Sequence, residues 1–480
     1  TFIRVIGTKR TFLYRAEEAQ STGGRPMFVP QGRTLGGGSS VNAMIYIRGQ
    51  AQDYDEWEAM GCTGWGWKDV LPVFRECEKN ERLSDEFHGT EGTLSVSDPR
   101  FRHPLSLAFV KATQEAGYSY NHDFNGADQA GTGFYQTTTI NARRGSTAAT
   151  FLAEVKSSPL LTVETEAKVE RVVVKDGKAE GVSYKDKSGT VQTVQANKEV
   201  ILTAGALATP KILMLSGIGP AMELKRHGIE VLKDAPQVGQ NFQDHLEVPA
   251  QAQTKHPISL LGADQGLKAV KHALQYLVAR SGQLASTVVE SGAFVDTANE
   301  GRPDIQINVL PVLTGDVERA PLPGHGVTLN PCQLRPESRG EVTLRSADPA
   351  DPILFDGKYL SDERDVDTMV RGLKVARGIL RQPAMAAVTT SELMPSAVAD
   401  VPDKDLADHV RNFAKTVYHP SCTCRMGSDE ASVVDLKLRV RGVENLRICD
   451  ASVMPKLVSG NTNAPTIMIA RRCADFILEG

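Results

Sequence analysis

The chain has 480 residues, 41% of them hydrophobic, and a formal net charge of −4. That length exceeds what one hydrophobic core supports and points to two large units, while the absence of any basic stripe excludes a nucleic-acid binder. No apolar run approaches the roughly 18 residues of a membrane-spanning helix, and residues 1–20 show no apolar run followed by a cleavage site, so no signal peptide is read there.

In chain order, the first feature is the stretch GRTLGGGSSVN at residues 32–42. Three successive glycines and two serines let backbone approach a flat or charged ligand, and they leave N–H groups and hydroxyls to bind an anion. Alone, they equally describe a flexible turn. β-Branched residues at 169–174 predict a sheet strand, and residues 200–202 predict a short buried one. Thr209 and Pro210 then predict a helix start, with Thr209 as N-cap and Pro210 at the first helical position. Residues 340–344 read as a further strand. Val366, Met369, Val370, Leu373 and Leu380 share one face of a helix over residues 366–380. This succession indicates α/β or α+β architecture.

The seven cysteines are odd in number and scattered, which argues against a disulfide framework and for free buried thiols in a reducing, cytoplasmic setting. Cys422 and Cys424 form a Cys-x-Cys pair without a second ligand pair at usable spacing, so no metal site is expected. Histidine suits general-base work because its ordinary pKa, about 6.5, lies near working pH. His88, His227, His256, His272 and His409 stand in polar or helical contexts without chemical company and read as surface or satisfied core residues.

Several stretches together resemble the glucose–methanol–choline (GMC) oxidoreductase family over nearly the whole chain. Residues 32–42, followed by Tyr46, Gly49 and Asp55, resemble its first signature, and GALATPKILMLSGIG at 205–219 resembles the second. Residues 238–245 (VGQNFQDH) are similar to a short motif that follows. Tyr418-His419-Pro420 and GNTNAPT at 460–466 resemble the two active-site segments. Within the family, the likeness is to the bacterial branch of alcohol, choline and sorbose dehydrogenases.

The resemblance implies an FAD-binding Rossmann-like domain from residues 1–60, 145–250 and 430–480. It also implies a substrate domain from residues 61–144 and 251–429, built on an antiparallel sheet backed by helices. Family members open with a strand, a Gly-x-Gly-x-x-Gly turn and a helix that holds the FAD pyrophosphate. No such glycine box occurs here, and the first signature begins already at Gly32, so an opening segment is expected to be missing from this sequence. The implied activity is oxidation of an alcohol to an aldehyde or ketone, with His419 as base and Asn461 as hydrogen-bond donor to the substrate oxygen. Asn463 is the second choice for that donor. FAD contacts carry over to Arg33, Leu35, Gly37, Ser39, Asn42 and Ala43, to Val169 for the adenine, and to Asp450 and Ala451. Asn463, Pro465 and Thr466 carry over to the flavin's pyrimidine edge, with a helix beginning near Thr466. Some relatives attach FAD through a histidine where this chain has Val41, so non-covalent FAD is expected. Family loops commonly have glycine where this chain has Cys422. The implied partners are a small alcohol and an electron acceptor, either dioxygen or a quinone, with localisation cytoplasmic or peripheral to a membrane. Two other readings remain at this stage: a hydroxynitrile lyase that keeps FAD without net redox chemistry, and an inactive relative that has lost its nucleotide cradle.

Overall fold

A computed structural model describes residues 5–479 apart from 316 and 318. Its largest sheet runs Thr389–Met394, Ala250–Thr254, Gly326–Gln333, Ile305–Leu310, Ser291–Val295 and Gly131–Phe134, with every neighbouring pair antiparallel. The short strands Leu246–Glu247 and Lys415–Thr416 join beside Gly326–Gln333. Alternation along the central strands sorts their side chains onto two faces. Ile305, Ile307, Val309, Val327 and Leu329 meet Val366, Met369, Leu373 and Ala376 of the helix Glu363–Leu380 in one buried cluster. Gly372 lets that helix lie close, since a Cβ there would come within 2.8 Å of Ile305. The other face is polar and satisfied internally. Gln306 donates to the Tyr135 hydroxyl, which donates to Asn308, and Asn330 donates to Glu247. The expected antiparallel sheet backed by helices is therefore present.

A second core gathers around the parallel pair Val200–Leu202 and Leu446–Ile448. Beside it lies a three-stranded antiparallel sheet, Val191–Gln195, Lys178–Lys185 and Lys168–Lys175. The strands expected at 169–174, 200–202 and 340–344 all form, as does the helix over 366–380. Two helix starts differ from expectation. Gly205, with φ 85°, makes a turn whose carbonyl accepts the Ala208 and Thr209 N–H groups, so the helix Ala208–Leu215 begins ahead of Thr209. Thr209 is therefore inside the first turn and is not the N-cap. The final helix, Asn463–Glu479, starts three residues before Thr466 because Pro465, which lacks an N–H, is tolerated in a first turn.

Candidate active site

His419 sits in the turn after Lys415–Thr416, and a buried carboxylate shapes that turn. Asp244 Oδ1 accepts the His419 backbone N–H at 2.8 Å, and Oδ2 accepts the Tyr359 hydroxyl at 3.0 Å and the Thr416 hydroxyl. Thr416 Oγ1 in turn accepts the N–H of Tyr418, whose φ is 71°. Burial pushes the Asp244 carboxyl up to about 6 against the opposing pull of these donors.

The His419 ring stands between two partners. Its Nδ1 lies 3.0 Å from Nδ1 of His245, the rings meeting edge to face, and its Nε2 lies 3.3 Å from the Asn461 amide nitrogen. His245 is fully enclosed, and its Nε2 is 3.0 Å from the Leu334 carbonyl oxygen. Burial lowers the His245 pKa to about 4. Burial, then the neighbouring His245, holds His419 well below its ordinary value. Both rings are thus neutral near pH 7. Asn461 follows Gly460, where φ is 153° and a Cβ would strike Ile47. The Asn461 Oδ1 atom is buried without a hydrogen-bond partner. This terminal segment is clasped to the first-signature segment by Asp53, whose carboxylate accepts the Ser459 N–H and hydroxyl at 2.7 and 2.8 Å.

The remaining expected residues fall into groups. Gly37 and Ser39 lie in the 3-10 turn Gly37–Ser40, and a Cβ on Gly37 or Gly38 would meet nothing within 4 Å, so this loop presents bare backbone outward. Its hydroxyls are not free, which corrects the sequence reading. Ser39 donates to the Gly36 carbonyl and Ser40 to that of Leu35, because the tight turn leaves those carbonyls needing donors. Asn42 Oδ1 accepts from Arg144 and from the Met44 N–H. Arg33 and Leu35 are exposed, with the Arg33 guanidinium over the Phe12 ring at 5.0 Å, while Ala43 packs beside Ile45 and Ile47. Asp450 accepts from Gly205 N–H, Thr209 hydroxyl and Ser452 N–H, so its carboxylate fastens the second signature to the turn carrying Ala451. The Ala451 carbonyl accepts the Cys422 N–H, which places this turn against the His419 loop. Val169 shares a cavity of about 380 Å³ with Thr203, Ala204 and the strand Val200–Leu202. Asn463 opens the final helix, Pro465 is buried in its first turn, and the Thr466 hydroxyl donates to the Thr462 carbonyl. A bare glycine cradle, a cavity at the expected adenine end and an orphaned amide oxygen beside His419 fit a flavin dinucleotide.

Sequence reasoning missed His245, Asp244 and Asp53, whose partners lie far away along the chain. It also misjudged His88. That ring bridges Glu78 and Asp123 in a buried cluster with Arg48, the Glu78–Arg48 pair meeting at 2.7 Å. Burial opposes charge on His88, yet the two carboxylates push its pKa up to about 9. His409 keeps the bland reading, stacked on Phe413 with Nε2 3.0 Å from the Pro249 carbonyl oxygen.

Comparison with known proteins agrees with this geometry. Family models described as GMC oxidoreductase match residues 11–247 and 336–470. An alcohol dehydrogenase [acceptor] of Pseudomonas putida is 45% identical over 98% of this chain and 86% of its own. The mitochondrial choline dehydrogenase of Homo sapiens is 42% identical over 97% and 78%. Among solved structures, pyridoxine 4-oxidase from Mesorbium loti superposes with a TM-score of 0.89 at 28% identity, covering 100% of this chain and 90% of that one. A formate oxidase variant from Aspergillus oryzae RIB40 gives 0.91 at 26%, covering 99% and 89%.

Proposed function

This chain belongs to the GMC oxidoreductase family, and we propose that it oxidises an alcohol to an aldehyde or ketone, with His419 as base. The observation that carries this reading is the line of groups from Leu334 through His245 and His419 to Asn461. The Leu334 carbonyl can only accept, so His245 Nε2 carries a hydrogen. Neutral His245 then has a lone pair on Nδ1, which receives Nδ1–H of His419. Neutral His419 is consequently bare at Nε2, the atom beside Asn461. There it takes the hydroxyl proton of the alcohol, while the Asn461 amide donates to the oxygen as negative charge grows on it. Bound FAD supplies the acceptor for the hydride leaving the alcohol carbon.

The cradle for that cofactor is assigned to Arg33, Leu35, Gly37, Ser39, Asn42 and Ala43, with Val169 at the adenine and Asp450 and Ala451 beside the pyrophosphate. Asn463, Pro465 and Thr466 serve the flavin edge. Because Ser39 and Asp450 spend their side-chain oxygens on protein partners, they serve through backbone and by shaping the loop. Val41 in place of a histidine supports non-covalent attachment. The two separate cores support division into a cofactor domain and a substrate domain. The acceptor is assigned as dioxygen or a quinone, and seven free buried thiols support a reducing compartment.

The test begins with the visible spectrum of the purified protein, followed by anaerobic addition of an alcohol panel. Flavin bands bleached by one alcohol class support the reading. His419→Ala is expected to keep those bands and lower turnover by about 10²–10⁴. Cyanohydrin cleavage without bleaching by any alcohol would replace oxidation with lyase chemistry, and a colourless protein that free FAD does not restore would remove both.

A further inference from the structure

The helix Gly266–Ala279 is packed inside out for a soluble protein. Its inward residues are Ala269, His272, Ala273 and Tyr276, all half-buried, and the Tyr276 hydroxyl donates to the Ala142 carbonyl at 3.0 Å. The large apolar residues point the other way. Leu267, Val270, Leu274, Leu277 and Val278 are between 55% and 88% exposed. At 3.6 residues per turn they fall within an arc of roughly 100°. Leu284, on the 3-10 turn packed against this helix, is a further exposed leucine. Lys271 and Lys268 border the arc, Arg280 caps its end, and residues 265–289 contain no Asp or Glu.

We propose that this face docks on the anionic surface of a phospholipid bilayer, lying in the interface with its leucines among the acyl chains and Lys268 and Lys271 at the phosphates. Charge complementarity selects this occupant. The chain is acidic as a whole, with net charge −4, yet this patch is purely cationic around an apolar strip, the pattern of interfacial helices. A second copy is a poorer match, because a two-fold interface pairs a patch with itself and this patch has no carboxylate to offer its own cations. No helix among the described residues is long and apolar enough to cross a membrane, so attachment of this kind is peripheral. The face carries none of the groups assigned to catalysis.

The experiment is co-sedimentation of the holoprotein with vesicles of phosphatidylglycerol and phosphatidylcholine, or of phosphatidylcholine alone, at low and high salt. Expected is pelleting with the anionic vesicles that weakens at high salt. Lys268→Glu/Lys271→Glu should lower partitioning by about tenfold or more, and Leu274→Glu/Val278→Glu should abolish it. Both variants should keep wild-type turnover with a soluble artificial acceptor, which separates this surface from the active site. No pelleting with anionic vesicles, or pelleting unchanged in both variants, overturns the proposal. A solution dimer that Leu274→Glu/Val278→Glu dissociates, without vesicle binding, assigns the face to a second copy instead.

Discussion

Removing the acceptor that His245 offers to His419 should switch the base into its unproductive tautomer. In His245→Leu the His419 Nδ1–H points at a side chain that cannot accept, inside a buried site. An unsatisfied buried donor costs roughly 1–3 kcal/mol. The alternative tautomer, with hydrogen on Nε2, avoids that cost and is favoured by the same amount. At about 1.4 kcal/mol per factor of ten, the population bare at Nε2 falls roughly 5- to 150-fold, and kcat/KM falls with it. His245→Asn provides the control, because its side-chain oxygen occupies about the place of Nδ1 and can accept again. The assay is kcat/KM for the best alcohol, beside flavin content and the rate of anaerobic bleaching. Expected are normal flavin content in both variants, a slow His245→Leu, and His245→Asn closer to wild type. A His245→Leu enzyme within twofold of wild type, or an Asn variant no faster than Leu, refutes the tautomer argument.

The other predictions concern the groups around this line. Asp244→Asn replaces an acceptor of three donors by an amide that brings two N–H groups of its own, and should cost about 1–3 kcal/mol in urea unfolding while loosening His419. Since the Asp244 carboxyl titrates near 6 and His419 well below its ordinary value, wild-type kcat/KM should fall as pH drops through about 6. The Asn variant should lack that limb in a pH–rate profile. His88 has a folded pKa raised from 6.5 to about 9, so its stabilisation is fully present below 6.5 and lost as pH rises through about 9. The unfolding free-energy gap between wild type and His88→Gln should therefore shrink by about 3 kcal/mol from pH 6 to pH 10, and a constant gap would contradict a charged His88. Cys422 has φ 76°, so Cys422→Gly should change thermal stability by no more than about 1 kcal/mol, whereas Cys422→Val should cost more; equal stabilities would remove the strain argument.

How far the sequence disclosed this site depended on whether a residue's partner was near it in the chain. His419 and Asn461 were legible because each stands in a recognisable short segment, and the fold brings them to 3.3 Å. His245 stood in a recognisable segment too, but its meaning lies in an imidazole 174 positions away. His88 looked isolated for the same reason, since Glu78, Asp123 and Arg48 are brought around it only by burial. Helices with a clear apolar face, such as Glu363–Leu380, were legible. Helix starts were not, because the turn at Gly205 outweighs the capping preference of Thr209. The glycine usual at the place of Cys422 has a physical reason in a backbone angle that no residue type displays.

The Asp53–Ser459 clasp joins positions 406 residues apart. During synthesis, His245 and His419 leave the ribosome before either Ser459 or Asn461. A chain stalled anywhere short of residue 459 holds the base and its orienting ring but not the amide opposite them. Contacts of such long range are also the slowest to form in refolding. Catalytic competence should therefore trail secondary structure in time, and a nascent or interrupted chain carries no active fragment.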